Sequence, residues 1–381
     1  MKTIVIGAGY HGCSIAYHLA RAGVETILID KGEIGAGASG SNFGCVQLSD
    51  SELGVSLQLN SRGFERMANM EEELGCTLEY RRVPSLALAQ SEEELEELTA
   101  DVSVKQNAGI DVRMISREEA SAQEPNLDIG NILGASYFLQ AQINPFLYIR
   151  GLVNRGMEAG LKVYENTLVT GITEGDGGCT GVTLADGRQL EAENIVVSAG
   201  AWTPELCRPL GIKPEIHYVI GECFVTEAVE PFMHSVIGLA SFYATTHGSS
   251  GPATSFTAVQ NQSGNLLLAE TSEPGPEDPD DALQLTSRQH CTGILENAAA
   301  LFPGLEKVQI LRNWTTCSPS TPRLEPVLGP AGPEGLFLAA GFKSSVVISP
   351  VAGELIRDLI VRGETFCDIS GYGLENAYPH S

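Results

Sequence analysis

The chain has 381 residues, of which 43% are hydrophobic, and its 23 basic and 48 acidic residues give a formal net charge of −25. This length predicts two domains, and the negative charge argues against nucleic acid and anionic membrane surfaces as partners. The nine cysteines contain no C-x-x-C pair, so we expect a reduced, cytoplasmic chain without a metal site. No apolar run reaches the roughly 20 residues that a membrane-spanning helix needs.

The first predicted elements are a strand, a glycine-rich turn and a helix. An apolar run at the N-terminus leads into Gly7, Gly9 and Gly12, which have G-x-G-x-x-G spacing, and helical periodicity follows. Gly7 permits the tight turn, Gly9 lets the backbone approach a diphosphate, and Gly12 allows close packing of helix and strand. The helix N-terminus adds free N–H groups and the positive end of its dipole. This order predicts a dinucleotide site, and the same turn contains Tyr10 and His11.

The second predicted strand ends at Asp30, eighteen residues after the last glycine of the turn. A carboxylate at this place can accept hydrogen bonds from an adenosine ribose. A run of small residues follows over 35–44. Such a run is no regular element, and its backbone can lie against a bulky flat or anionic ligand. Its side chains Ser39, Ser41 and Asn42 supply hydrogen-bond donors.

The remaining chain alternates helical and strand patterns. A near-continuous apolar run over 194–199 is typical of a buried parallel strand, and alternating residues over 213–270 are typical of antiparallel strands. Predicted helices cover 52–75, 91–99, 145–160, 282–301 and 350–361, with a capping box at 116–119. Further predicted strands cover 161–164, a hairpin within 168–190, and 335–340.

The α/β segments lie at the beginning, middle and end of the chain, with antiparallel segments between them. We therefore predict an α/β fold in which a Rossmann-like nucleotide-binding domain is assembled from 1–80, 144–212 and 320–381. A second domain of α+β type, with a mostly antiparallel β-sheet, is inserted as 81–143 and 213–319 and is expected to bind the substrate.

Several segments together resemble one known family. They are the A-S-G-x-N-x-G pattern at 38–44, the segment Ser198–Trp202, the strand Gly335–Gly341 with Ser349 and Pro350 after it, and Pro322 with Pro326 and Gly329. On these motifs the whole chain resembles the FAD-dependent amino-acid and amine oxidases and dehydrogenases (the DAO family), which include glycine oxidase and sarcosine oxidase. In length and in its Gly-Phe-Lys-Ser-Ser segment it looks most like the β subunits of multi-subunit opine, D-hydroxyproline and proline dehydrogenases.

The resemblance implies FAD as the cofactor, bound without a covalent bond. The implied cofactor-binding residues are Gly7, Gly9, Tyr10, His11, Gly12, Asp30, Lys31, Ala38, Ser39, Ser41, Asn42, Gly44, Val163, Ala199, Gly200, Trp202, Gly341, Phe342, Lys343, Ser344, Ser345 and Val346. Some sarcosine oxidases attach their flavin through a cysteine close to the position of Cys317. Because Cys317 is one position off in our alignment, we favour a buried cysteine there.

The implied reaction is transfer of a hydride from the α-carbon of an amine to the flavin, which gives an imine that water hydrolyses. The last helix, beginning near Ser349 and Pro350, is placed to stabilise negative charge on the reduced flavin with its dipole. Glycine-oxidase-like members bind the substrate carboxylate with an arginine where this chain has Ser318. Lys343, Arg323 and Arg312 are alternative carboxylate ligands.

Four further candidates lie in the inserted domain, namely Tyr218, Tyr243, His247 and Glu270, and each has an alternative reading as a sheet or core residue. Aromatic side chains commonly wall amine pockets in flavoenzymes of this family. The predicted catalytic residues are Lys343, Tyr243 and His247, and the predicted substrate-binding residues are Ser318, Arg323, Tyr218 and Glu270. The glycine-containing loop over 246–252 is a candidate lid.

We predict oxidation of the C–N bond of an amino acid or N-substituted amino acid, with secondary amines such as sarcosine, D-proline or opines first. The resemblance implies a catalytic subunit of a larger dehydrogenase, whose partner subunits carry another flavin or an iron–sulfur centre. This chain has no cysteine cluster for such a centre of its own. Two alternatives stay open, namely oxidation of a 2-hydroxy acid on the same fold, and a non-catalytic subunit that binds FAD as a scaffold or electron relay.

Overall fold

A computed structural model describes residues 1–49, 51, 53–241, 253–283, 286–342 and 345–378. The strands are β1 (Lys2–Ile6), β2 (Glu25–Ile29), β3 (Cys45–Val46), β4 (Arg81–Ala89), β5 (Val112–Ser116), β6 (Gly134–Gln142), β7 (Lys162–Tyr164), β8 (Val169–Gly175), β9 (Gly178–Leu184), β10 (Gln189–Glu191), β11 (Asn194–Val197), β12 (His217–Ala228), β13 (Val236–Leu239), β14 (Ala253–Gln260), β15 (Asn265–Pro274), β16 (Ile310–Ser320), β17 (Val327–Pro330) and β18 (Leu336–Ala340). The α-helices are α1 (Tyr10–Arg21), α2 (Val55–Met67), α3 (Met70–Leu74), α4 (Glu92–Asn107), α5 (Arg117–Gln123), α6 (Pro145–Glu158), α7 (Thr203–Cys207), α8 (Pro279–Ala282), α9 (Arg288–Leu301) and α10 (Ser345–Arg362).

The apolar runs at the N-terminus and at 194–197 form neighbouring strands of a largely parallel sheet. Its order is β17-β18-β11-β1-β2-β7, and β17 at one edge is antiparallel to β18. Val5 of β1 packs into a cluster with residues of α1, α6 and α10, whereas Ile4 and Ile6 pack on the other face against the small sheet β8–β10. Both faces are therefore covered, which explains the continuous apolar pattern and confirms the α/β fold.

The larger sheet has the order β16-β12-β15-β14-β13-β4-β6-β3, and β5 pairs with β6 beside β3. Most neighbours are antiparallel, as predicted, but β13 lies parallel to β4. The segments 81–143 and 213–319 thus share one sheet, and β3 from the segment 1–80 also joins it through β6. The exact division of the chain into two domains stays a prediction.

The two faces of the larger sheet have different neighbours. Phe224 and Ile237 lie in a buried cluster with residues of α9. On the opposite face, Cys223 and Trp314 pack with Phe43, and the Trp314 Nε1 donates a hydrogen bond to the Ser41 carbonyl oxygen at 3.4 Å. This second face therefore meets the glycine-rich loop that follows β2.

The predicted helix over 52–75 is wrong, because the chain forms two helices, α2 and α3, with a break at Asn69. The Asn69 side-chain amide donates to the Glu65 carbonyl oxygen at 3.3 Å, which is the acceptor that the Asn69 backbone N–H would use in a continuous helix. The Asn69 backbone N–H bonds to Arg66 instead. A side chain thus competes with the helical backbone pattern.

The predicted start of the last helix near Pro350 is also wrong. The helix α10 begins at Ser345, so Pro350 lies inside it. A proline there leaves the Val346 carbonyl without its helical N–H partner. The Ser349 hydroxyl donates to that carbonyl at 2.8 Å and replaces the missing bond.

Two other helix predictions have wrong boundaries. The helix predicted over 282–301 begins only at Arg288, after Ser287, whose hydroxyl caps it by accepting from the His290 N–H at 3.3 Å. The helix predicted over 91–99 continues to Asn107 as α4. Within the described ranges, none of the helices is both long and apolar enough to cross a membrane.

Candidate functional site

The carboxyl ends of β1, β2, β11 and β18 meet at one edge of the parallel sheet, where α/β proteins place their ligands. The turn after β1 fits this edge only with glycines. Gly7 has φ +106°, and a Cβ atom there would overlap the Ser198 carbonyl oxygen after β11. A Cβ atom on Gly12 would overlap the Gly7 carbonyl oxygen. Backbone segments therefore pack directly against each other at the start of α1, with no space for a side chain at Gly7 or Gly12.

The N-terminus of α1 is open to an anion. Gly9 is the N-cap residue and has no side chain to cap the helix, and the first turn contains no acidic residue. The Tyr10 N–H donates to the Ser39 hydroxyl at 3.0 Å, which brings the second glycine loop over this helix end. The N–H groups of His11 and Gly12 have no intrahelical acceptor, since the first hydrogen bond of the helix runs from the Cys13 N–H to the Gly9 carbonyl oxygen at 2.9 Å. This end of the helix fits a diphosphate.

Asp30 joins the turn after β1 to the turn after β2. Its Oδ2 accepts from the Ala8 N–H at 2.6 Å, and its Oδ1 accepts from the Gly32 N–H at 2.8 Å. A carboxylate has about four acceptor sites, so these two bonds leave room for ribose hydroxyls. The ribose contact of Asp30 stays a prediction, and the structure adds a second role in shaping the turn.

Asn42 organises the loop after Asp30. Its Nδ2 donates to the carbonyl oxygens of Ala38 at 3.1 Å and Ser39 at 2.8 Å. Its Oδ1 accepts from the Gly44 N–H at 2.8 Å and from the Tyr10 hydroxyl at 3.1 Å. Four bonds from one side chain give a defined shape to a segment of small residues. The Ser41 hydroxyl adds one bond to the Gly37 carbonyl at 3.3 Å.

The predicted residues on the adenosine side come together around β2. Val163 in β7 pairs with Leu28 in β2, one position before the strand ends. Lys31 lies 4.1 Å from the centroid of the Trp202 ring and forms an ion pair with Asp280 at 2.6 Å. The buried Trp202 Nε1 has no hydrogen-bond partner among the described residues. The segment Ala199–Trp202 thus lies beside the end of β2, and Gly200 makes its turn with φ +56°.

The turn after β18 lies against the first turn of α1. The His11 ring stacks on the Phe342 ring with 3.6 Å between centroids and 11° between planes. Gly341 has φ +76°, and the Ser345 hydroxyl donates to the Phe342 carbonyl at 3.2 Å. Burial lowers the pKa of His11 to about 3, so its imidazole is neutral. Val346 is buried beside this turn, whereas Lys343 and Ser344 lie outside the described residues.

The predicted substrate-binding residues are spread over a wider region than the predicted cofactor-binding residues. Ser318 is exposed on β16, opposite Val219. The Tyr218 hydroxyl donates to the Pro276 carbonyl oxygen, and burial raises the pKa of Tyr218 to about 12. Glu270 accepts a hydrogen bond from the Thr257 hydroxyl at 3.3 Å. Tyr243, His247 and the predicted lid over 246–252 lie outside the described residues.

The two arginine candidates lie apart from each other. Arg323 donates from Nε to the Tyr378 carbonyl at 3.0 Å, which ties it to the C-terminal segment. Arg312 is exposed near the start of β16. Cys317 is buried, and its thiol lies 3.8 Å from the Pro279 carbonyl oxygen. Burial raises the pKa of Cys317 to about 11, so the reactive thiolate is disfavoured.

Three contacts of the site were missed at the level of sequence. They are the bond from Trp314 to Ser41, the stack of His11 on Phe342, and the hydrogen bond of 3.1 Å between the Tyr148 and Ser349 hydroxyls. The only available signal was the presence of an aromatic residue in each motif, because the partners are at least 201 residues apart in all three contacts.

Comparison with known proteins agrees with this arrangement. The family described as FAD dependent oxidoreductase (DAO) matches residues 2–359. Glycine oxidase of Geobacillus kaustophilus is 29% identical over 97% of this chain and 95% of its own length, and its crystal structure superposes with a TM-score of 0.86 at 27% identity, covering 98% and 97% of the two chains. Mitochondrial sarcosine dehydrogenase of Mus musculus is 26% identical over 100% of this chain and 42% of its own length.

The L-proline dehydrogenase of P. horikoshii has the same fold, with a TM-score of 0.85 at 22% identity over 98% of this chain and 96% of that one. The family match spans nearly the whole chain and includes the glycine turn, the loop with Asn42 and the turn at Gly341. The chain therefore belongs to the DAO family of FAD-dependent oxidoreductases, and its cofactor is FAD.

Proposed function

We propose that the chain oxidises the C–N bond of an amino acid or N-substituted amino acid. The observation that carries this proposal is the full-length similarity to glycine oxidase, at 29% identity in sequence and a TM-score of 0.86 in structure. Sarcosine dehydrogenase as a further relative favours substrates with a secondary amine. FAD, when bound, supplies the hydride acceptor. The α-carbon loses a hydride, the nitrogen lone pair completes a C=N bond, and water then releases the amine from the carbonyl product.

The residues at the carboxyl edge fit FAD. The N-terminus of α1 would bind the diphosphate, with Gly7 and Gly12 holding the backbone close and Ser39 lying above the helix end. Asp30 and the end of β7 at Val163 would bind the adenosine. The loop shaped by Asn42 would run beside the flavin, since this loop also contacts the face of the larger sheet at Trp314.

The substrate is proposed to lie between this loop and the face of the larger sheet that carries Trp314 and Ser318. In an antiparallel pair, residues two apart share a face, so Trp314, Thr316 and Ser318 point the same way. Ser318 offers a hydroxyl where glycine-oxidase-like members have an arginine, and we propose Lys343 as the cation for a substrate carboxylate. Glu270 is proposed to line the same region, with Tyr243 and His247 as catalytic candidates. Tyr218 pairs with Pro319 and therefore lies on the other face of the sheet, away from Ser318.

Anaerobic mixing with a substrate panel tests the reaction. We expect sarcosine, D-proline, hydroxyproline or an opine to bleach the flavin absorption band, with glycine and other primary amines slower. Bleaching by 2-hydroxy acids alone would replace the proposal by hydroxy-acid oxidation. An absence of bleaching by every compound, with activity only in the presence of a partner protein, would indicate an electron-relay subunit.

A pair of variants tests the proposed position of the substrate carboxylate. Ser318→Arg places a guanidinium on the proposed substrate face, whereas Asn313→Arg places the same charge on the opposite face of the same strand. We expect Ser318→Arg to change the KM for amino-acid substrates at least about tenfold, as a charged hydrogen bond of 1.5–3 kcal/mol implies. Equal KM values in both variants would show that this face of β16 does not line the substrate site.

We further propose that the chain is a cytoplasmic catalytic subunit of a larger dehydrogenase. The net charge of −25 supports association with a basic surface of a partner. Purification from the native host, with identification of co-purifying chains and cofactors, tests this part independently of the substrate panel. Recovery of the chain alone, with full activity towards oxygen, would contradict it.

A further inference from the structure

The stacked pair of His11 and Phe342 connects the two helix N-termini at the carboxyl edge. His11 stands in the first turn of α1, whose N-terminus fits the diphosphate, and Phe342 stands between β18 and α10. Their ring centroids are 3.6 Å apart and their planes differ by 11°. The pair spans the end of β11, because β11 lies between β1 and β18 in the sheet.

The pair is enclosed by protein. His11 is 7% exposed and Phe342 is 6% exposed. The His11 Nε2 atom is buried and has no hydrogen-bond partner among the described residues. Within the described residues the imidazole therefore acts as an aromatic plate. A neutral ring without a polar partner has a desolvation cost, and packing against Phe342 is the favourable contact that the structure shows for it.

The position of Phe342 affects the start of α10. Gly341 turns the chain with φ +76°, and a Cβ atom there would lie 2.5 Å from the Thr321 Cγ2. The Phe342 carbonyl accepts a hydrogen bond from the hydroxyl of Ser345, the first residue of α10. The ring of Phe342 is therefore tied through its own backbone to the N-terminus of a helix of 18 residues.

We propose that His11 is a positioning residue that acts on the flavin through Phe342. The stack fixes the position of the N-terminus of α10 relative to the N-terminus of α1. One positive helix end then faces the diphosphate, and the other faces the flavin ring system. This inference rests on the family's cofactor and on the proposed placement of FAD along the carboxyl edge. A positive helix end near the flavin favours the negative charge that the ring system gains on reduction.

The test compares variants of His11 by properties of the bound flavin that need no substrate. His11→Phe keeps an aromatic plate and removes the unpaired nitrogen, whereas His11→Ala removes the plate. We measure the flavin reduction potential and the dissociation constant of sulfite, which adds to oxidised flavin and leaves a negative charge on it. We expect His11→Ala to lower the potential and weaken sulfite binding about fivefold, the size of one aromatic pair, and His11→Phe to stay within about twofold of the parent.

A second buried histidine of α1 provides the matched control. His18 also has an unpartnered Nε2 among the described residues, and burial lowers its pKa to about 3, but its ring packs edge-on against Tyr17 rather than on Phe342. His18→Ala should therefore reduce stability without moving the potential. An equal shift in His18→Ala, or no shift in His11→Ala, would overturn the proposal.

Phe342→Leu removes the other ring of the stack and completes a double-mutant cycle with His11→Ala. We expect it to weaken sulfite binding as His11→Ala does, and the double variant to add less than the sum of the two, because both remove one contact. Should His11→Ala fail to fold, His11→Leu with Phe342→Leu gives the same comparison. Additive effects, or a shift in His11→Phe as large as in His11→Ala, would show that the stack is not the means of action. Because sulfite and the potential report on the flavin alone, failure here is distinguishable from failure of the proposed substrate class.

Discussion

The carboxyl edge of the parallel sheet and the facing side of the larger sheet are built in different ways. At the edge, backbone atoms determine the geometry, since Gly7 and Gly12 leave no room for a side chain and Asp30 and Asn42 bond mainly to main-chain groups. On the facing side of the larger sheet, side chains from distant strands determine the geometry. Backbone geometry of the first kind can be recognised from local sequence, whereas contacts between distant strands cannot.

Buried ionisable groups beside the two sheets respond to pH in opposite ways. Burial lowers the pKa values of His11 and His18 in α1 to about 3. Because these values lie below the ordinary histidine pKa near 6.5, both residues contribute stability that is present above pH 6.5 and is lost as the pH falls. Beside the larger sheet, burial raises the pKa of Glu124 to about 7, which gives the opposite pH dependence.

The largest effect is expected from Gly12→Ala at the edge. The added Cβ atom would overlap the Gly7 carbonyl oxygen, so the turn must open or α1 must shift away from the diphosphate position. We expect the dissociation constant of FAD to rise at least about 100-fold, corresponding to about 3 kcal/mol. Titration of apoprotein with FAD measures it. Gly37→Ala is the control, because a Cβ atom on Gly37 meets nothing within 4 Å; similar losses in both variants would contradict the geometric argument.

Glu124→Gln should change stability in a pH-dependent manner. Glu124 is fully buried, and its Oε1 accepts from the His234 N–H at 2.8 Å. Its folded-state pKa of about 7 exceeds the unfolded value near 4.5, so the parent binds more protons when folded and loses stability as the pH rises through 7. The uncharged side-chain amide of the variant resembles the protonated carboxyl group of Glu124 and does not titrate.

We expect the variant to be more stable than the parent by about 3 kcal/mol at pH 8 and by less than about 1 kcal/mol at pH 5. Urea unfolding at both pH values measures the difference. Glu97→Gln, on the exposed side of α4, is the control for the change in net charge. A constant difference at all pH values would show that Glu124 does not titrate in this range.

Asn42→Ala should have an intermediate effect on the loop at the edge. The substitution removes four hydrogen bonds, to Ala38, Ser39, Gly44 and Tyr10. We expect a loss of about 2 kcal/mol in the free energy of unfolding and faster release of FAD, since the backbone groups become free to bond to water. Ser41→Ala, which removes a single long bond, should cost much less. Equal losses would mean that Asn42 does not organise the loop.

The smallest effect is expected from Asp280→Asn, at a contact between the two regions. Asp280 in α8 pairs with Lys31, which also lies over the Trp202 ring, but its side chain is 58% exposed. An exposed ion pair contributes at most about 1 kcal/mol, so we expect the FAD release rate to change less than about fivefold and the difference to vanish at high salt. A large, salt-independent effect would show that α8 closes the adenosine side of the site.

Much of the edge was predictable because its signals are local. The order of strand, glycine turn, helix and Asp30 determines the first βαβ unit, and the capping box of Ser116 and Glu119 forms as its spacing predicts. Helix boundaries were less predictable. Asn69 and Ser349 each redirect one hydrogen bond through a side chain, and such exchanges depend on rotamers that hydrophobic periodicity does not report.

The amino-acid sequence by itself determined the α/β fold, because glycine spacing, apolar runs and the acid after β2 constrain the backbone over short distances. Its resemblance to the DAO family indicated FAD as the cofactor. Only the tertiary structure decided that His11 stacks on Phe342, that Trp314 bonds to the loop at Ser41 and that Tyr218 and Arg323 bond to carbonyl groups of this chain. These contacts join residues 55 to 331 positions apart in the chain. A pairing of that kind depends on how whole sheets and helices pack, and no local pattern encodes it.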